Sequence, residues 1–128
     1  MFGEAGGRRA VEALDHADSV TASDLTLLEC DRSLIRAATL SMIREERAAR
    51  LRVILARVVA HWRLMPVSRD IVNRARQPFP GEPIRSLDAI HLASALLAAG
   101  SLPDVALLSL DRRVRATGAR LGLRVLPD

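Results

Sequence analysis

A chain of 128 residues, 49 % hydrophobic and 27 % charged, is long enough for one folded domain with a real core, too short for two, and not of disordered composition. No apolar run approaches the roughly 20 residues of a membrane helix; the opening MFGEAGGRRAVEALDHAD offers no signal-peptide stretch, and one cysteine, Cys30, excludes an internal disulfide and suits a reducing cytoplasm. The net charge of +4 rests on 19 arginines and no lysine, which fits an RNA partner, whereas 2 % aromatics and no tyrosine speak against a base-stacking platform.

The elements read in chain order as follows. A first helix spans 8–17, with Val11, Leu14 and Ala10 facing inward. Residues 19–22 form a short strand, and Ser23 stands where a helix N-cap belongs, with Asp24 favourable in the first turn. That helix runs to about Ala38. A longer one follows to about Ala60, with Leu51, Ile54, Leu55, Val58, Val59 and Trp62 on one face. A second strand spans 62–67 and a short helix 69–76. The stretch 78–83 is a loop, because its prolines fix φ and remove donors. Ser86 caps a helix that is apolar almost all round, reaches about Leu97 and is ended by Gly100. The apolar run 105–110 reads as a buried parallel strand, Asp111 caps a helix to about Gly118, and 123–126 is a last strand. Helices and strands alternate without Asn-Gly or Asp-Gly hairpin turns, so the fold class is α/β with a mostly parallel sheet flanked by helices.

In such sheets ligands bind beyond the carboxyl ends of the strands, which draws attention to three acids. Periodicity puts Glu29 at the edge of an apolar helical face, where a solvated surface ion pair with Arg32 is the reading that periodicity alone favours. Asp88 opens a buried helix, where it complements the helix dipole or faces a cleft. His91, three residues on, reads as structural. Asp111 directly follows the most hydrophobic strand, a position that suits an N-cap and a metal ligand alike, and Ser109 is placed to support it by hydrogen bonding. Three carboxylates suit a hard cation such as Mg²⁺, which takes oxygen ligands and keeps several waters. The sequence has no His/Cys cluster for zinc, no HExxH, no phosphate-binding glycine loop and no G-x-S-x-G.

The segment Ile84-Arg85-Ser86-Leu87-Asp88-Ala89-Ile90-His91-Leu92-Ala93-Ser94-Ala95-Leu96 closely resembles the R-S-L-D-A-I-H-L-A-x-A-L helix of PIN-domain toxins of the VapC type. Leu108-Ser109-Leu110-Asp111-Arg112-Arg113-Val114 is similar to that family's acid-bearing strand end, and Ser23-Asp24-Leu25-Thr26-Leu27-Leu28-Glu29 to its strand-to-helix segment with a metal-ligating Glu. The resemblance implies a three-layer α/β fold and a metal-dependent endoribonuclease toxin of a type II toxin–antitoxin system. Glu29, Asp88 and Asp111 would hold Mg²⁺ or Mn²⁺, RNA would be the substrate, and the partners would be a cognate antitoxin and a second copy of the chain. The alternative is an inactive PIN remnant that still binds RNA or antitoxin. The family's first, central strand, which ends in L-D-[ST]-S-x-L, has no counterpart. Glu4-Ala5-Gly6-Gly7 is similar to the E-P-G-S that comes after it, so roughly 15 residues are missing. The expectation is that Met1 is an internal methionine of a longer protein, or that the chain is a shortened toxin whose sheet has a gap.

Overall fold

The computed structural model describes residues 4–128, so the expectation concerning Met1 lies outside the described residues. The element order is α1 (Glu4–His16), β1 (Thr21–Ser23), α2 (Asp24–Thr39), α3 (Glu45–Val59), β2 (Arg63–Met65), α4 (Arg69–Ala75), α5 (Ser86–Ser101), β3 (Ala106–Leu108), α6 (Arg112–Arg120) and β4 (Arg124–Leu126). The fold is α/β with parallel strand pairing, as the alternation of patterns requires. The chain forms two compact units, one of residues 19–66 and one of the segment up to Asp18 together with Val67–Asp128.

In the first of these units β1 and β2 pair in parallel, Thr21 opposite Arg63 and Ser23 opposite Met65. Parallel strands need a crossover, and α2 and α3 supply it as a helical hairpin. Ser23 ends β1 and caps α2, its Oγ accepting the Leu25 N–H at 3.2 Å. The hairpin turns where Ser41 takes a left-handed φ of 57°. Asp31 of α2 and Arg52 of α3 pair at 3.1 Å; both ends are partly exposed, so the pair adds at most about 1 kcal/mol. The α3 stripe is narrower than its periodicity suggests. Val59 is buried, but Ile54 and Val58 are 46 % and 45 % exposed. Ala48 is the other buried residue of α3, so the helix packs through a small face. At 15 residues α3 is also not longer than α2, which has 16.

The other unit contains the larger core: Ile71, Phe79, Ala89, Leu92, Ala93 and Val114 are buried, and Leu92 has no exposed surface. Here β3 and β4 pair in parallel around α6, Ala106 opposite Arg124 and Leu108 opposite Leu126. Gly118 lets α6 come down on that pair. A Cβ on it would stand 2.5 Å from the Leu107 side chain and 3.5 Å from Val125. Among the described residues strand pairing stays within each unit, as two two-stranded sheets.

Several boundaries differ from the sequence reading. Helix α1 begins at Glu4, four residues early, and Val11 on it is 56 % exposed rather than inward-facing. Strands β2, β3 and β4 are trimmed to three residues, because a two-stranded ladder bonds only the residues that face a partner, and β1 is shifted from 19–22 to Thr21–Ser23. The run 105–110 is half-buried rather than buried. Arg85, not Ser86, is the N-cap of α5, without a side-chain bond. That helix runs through Gly100 and stops when Leu102 turns extended, at φ −126° and ψ 146°. The cause is Pro103, which disfavours the helical region for the residue before it. Helix α5 is also less enclosed than its composition suggests, since Leu87 and Leu97 are 46 % and 40 % exposed.

Candidate functional site

Asp111 is the acid whose surroundings are most fully defined. It follows β3 after two residues and is the N-cap of α6, with φ −77° and ψ 125°. Its Oδ1 accepts the N–H groups of Arg113 and Val114, both at 2.9 Å, which satisfies two of the unpaired donors of the first turn. Oδ2 is not engaged in the cap. The Asp111 N–H donates to Ser109 Oγ at 3.1 Å, so the serine supports the acid through its backbone. Both functions weighed for this position are compatible: one carboxylate oxygen closes the helix and the other is left over.

Asp88 lies in the first turn of α5 and is half-buried. It is the only acid of that turn, on a helix whose N-cap residue offers no side-chain acceptor. The starts of α5 and α6 are tied together. Arg113, in the first turn of α6, donates from Nη1 to the carbonyl of Pro83, three residues before α5, at 2.8 Å. One turn further on, the buried Thr117 donates from Oγ1 to the Pro80 carbonyl at 3.0 Å. The loop between these carbonyls is held by Glu82, whose two carboxylate oxygens accept the N–H groups of Phe79 and Ile84. Asp88 and Asp111 thus open two helices whose N-terminal ends are bound to one loop. His91 is half-buried one turn after Asp88.

Glu29 belongs to the other unit. It lies six residues after the Ser23 cap on α2 and is half-buried. Its neighbour Cys30 is a half-buried free thiol. Burial pushes that thiol up from its ordinary pKa, and the carboxylates of Glu29 and Asp31 push it the same way. Such a thiol stays protonated near neutrality and is a poor nucleophile.

Among the described residues, neither unit by itself gathers three or more His, Cys, Asp or Glu side chains into a metal-holding group. The donors that Asp88 and Asp111 offer are carboxylate oxygens. That chemistry fits Mg²⁺ or Mn²⁺, which bind through one or two carboxylates and keep their waters, and does not fit a zinc site. Sequence reasoning missed Arg113, Arg115 and Thr117, whose contacts are to backbone carbonyls distant in sequence. The arginine-rich start of α6 was their only trace.

Asp111, which follows the parallel strand β3 and opens α6, stands at the carboxyl end of a strand, where α/β proteins bind their ligands. The sequence model of the PIN domain matches residues 1–120, and the chain belongs to that family. It is also similar to Ribonuclease VapC35 of Mycobacterium tuberculosis, at 36 % identity over 56 residues in both strain CDC 1551 / Oshkosh and strain ATCC 25618 / H37Rv. That match covers 44 % of this chain and 42 % of the relative, so the chain spans less than half the length of the curated relatives it matches. Among the described residues no helix is long and apolar enough to cross a membrane.

Proposed function

We propose that the protein is a metal-dependent endoribonuclease toxin of the VapC type, with Glu29, Asp88 and Asp111 as the acids that hold Mg²⁺ or Mn²⁺. The observation that carries the reading is the half-committed carboxylate of Asp111 at the carboxyl end of β3, in a PIN-family chain whose α5 start is tied to the same loop as α6. The bound ion would supply an acidified water and neutralise charge on the phosphate under attack. The chain's own contribution is to hold the acids. Asp111 is oriented by its cap and by Ser109, Asp88 is carried in the first turn of α5, and Glu29 is carried by α2. The exposed arginines of α6, Arg112 and Arg120 among them, present positive charge to an RNA backbone.

The same reading includes protein partners: an antitoxin and a second copy of the chain. Its support is the apolar surface of the unit formed by residues 19–66, where Leu28, Met42 and Val53 are 55 %, 71 % and 53 % exposed. The lone free thiol suits a cytoplasmic location.

The test is RNA cleavage by the chain with Mg²⁺, with Mn²⁺ and with EDTA, repeated for Asp88→Asn and Glu29→Gln. Cleavage that needs metal and is lost in both variants is expected. Undiminished cleavage in EDTA, or by Asp88→Asn, would overturn the metal mechanism. RNA binding without cleavage by the unmodified chain would instead mark it as an inactive PIN protein that binds RNA.

A further inference from the structure

Arg115 is the side chain of α6 that reaches the carboxyl ends of both β3 and β4. It is half-buried, and its guanidinium donates from Nη1 to the Ser109 carbonyl at 2.8 Å and from Nη2 to the Pro127 carbonyl at 2.7 Å. Ser109 and Pro127 are the residues directly after β3 and β4. The last hydrogen bond between the two segments runs from the Ser109 N–H to the Leu126 carbonyl at 3.1 Å, so the fork closes the pair where the ladder stops. A planar guanidinium suits this task, since two of its nitrogens present donors in a fixed geometry. Both acceptors are neutral carbonyls, and among the described residues no carboxylate pairs with Arg115. The contact therefore fixes geometry rather than neutralising a charge.

What it fixes is the segment that carries Asp111. Ser109 receives Arg115 on its carbonyl and the Asp111 N–H on its hydroxyl. The backbone N–H of Arg115 in turn donates to the Asp111 carbonyl at 2.9 Å. We propose that Arg115 is a positioning residue for the metal site: it clamps the Ser109–Leu110–Asp111 segment and so holds the Asp111 carboxylate ready for the ion. This rests on the reading of Asp111 as a ligand. A lysine at 115 has one ammonium group and cannot span both carbonyls as a fork, whereas a methionine keeps the aliphatic bulk and makes neither bond.

The experiment is a Mn²⁺ titration of the 128-residue chain followed by electron paramagnetic resonance, for Arg115→Lys, Arg115→Met, Asp111→Asn and Ile71→Val. Ile71→Val trims the buried core on α4 and serves as the control for destabilisation alone. Amide exchange of Arg113 and Val114, the two N–H groups capped by Asp111, is followed in parallel. Loss of a group that orients a metal ligand typically weakens affinity by roughly 10- to 100-fold. That loss is expected for Arg115→Met and a smaller one for Arg115→Lys. The two capped amides should exchange faster in the same order, and Ile71→Val should bind like the unmodified chain. Wild-type affinity in folded Arg115 variants, with Asp111→Asn impaired, overturns the clamp and leaves the site standing. Wild-type affinity in Asp111→Asn overturns the site and the clamp with it. Should Arg115→Met fail to fold, Arg115→Lys decides by the same criterion.

Discussion

Replacing Asp111 by Asn and by Ala separates the two functions of this residue, because the substitutions remove different things. Alanine removes the Oδ1 acceptor for two N–H groups at 2.9 Å and the charge together. Loss of a capping side chain costs about 0.5–2 kcal/mol. Asparagine is as good a cap as aspartate and keeps an oxygen in the same place. It removes only the charge at the helix start, for about 0.3–1 kcal/mol at most; Asp111 is exposed, so the low end of that range applies in physiological salt. In a chain of this size 1 kcal/mol moves the melting temperature by roughly 3–6 °C. Thermal unfolding followed by circular dichroism should therefore rank unmodified chain, Asn and Ala in that order, with Asn close to the unmodified chain. Added Mn²⁺ should raise the melting temperature of the unmodified chain, since a ligand that binds the native state stabilises it by mass action. It should raise neither variant, because an amide oxygen lacks the charge that draws the cation. Two results refute this reasoning. If Asn melts as low as Ala, the Oδ1 bonds are not what stabilises the helix start. If Mn²⁺ stabilises Asn as much as the unmodified chain, Asp111 is a cap and nothing more.

Three other outcomes follow from the packing and the thiol. Thr117→Val keeps the shape of a residue that is 1 % exposed but strands the Pro80 carbonyl. Chemical denaturation should show a loss of about 1–3 kcal/mol, and an unchanged midpoint would mean that the bond contributes nothing net. Gly118→Ala gains helix propensity worth about 1 kcal/mol, yet its methyl would stand 2.5 Å from the Leu107 side chain. Overpacking of about 1–3 kcal/mol outweighs the gain, so the variant should melt lower, and a higher melting temperature would show that Leu107 moves aside freely. The raised pKa of Cys30 keeps it as the neutral thiol near pH 7. Iodoacetamide should modify it more slowly than free cysteine at that pH and speed up as pH rises through the shifted value; a rate equal to free cysteine would contradict the shift.

Much of the local structure was legible in the residues themselves. Ser23 and Asp111 are the caps their positions indicated, since capping depends on a side chain and an N–H two or three residues on. The alternation of helical and strand patterns set the α/β class for the same reason: it is a property of neighbouring positions. Where a nearby residue competes, local reading slips. Pro103 rather than Gly100 stops α5, and Arg85 rather than Ser86 precedes its first turn. The exposure of Ile54 and Val58 was not legible either, because a helix's apolar face is buried only as far as its partner covers it.

The candidate site divides in the same way. Residue type and the motif around Asp88 singled out the acids without any coordinates. Only the tertiary structure showed that Arg113 and Thr117 bind the 80–83 loop to α6 and that Arg115 joins Ser109 to Pro127. These contacts span up to 37 positions of chain and end on backbone carbonyls, which every residue carries alike. An acceptor common to all residues leaves no mark in a sequence, and the fold alone chooses which one an arginine reaches.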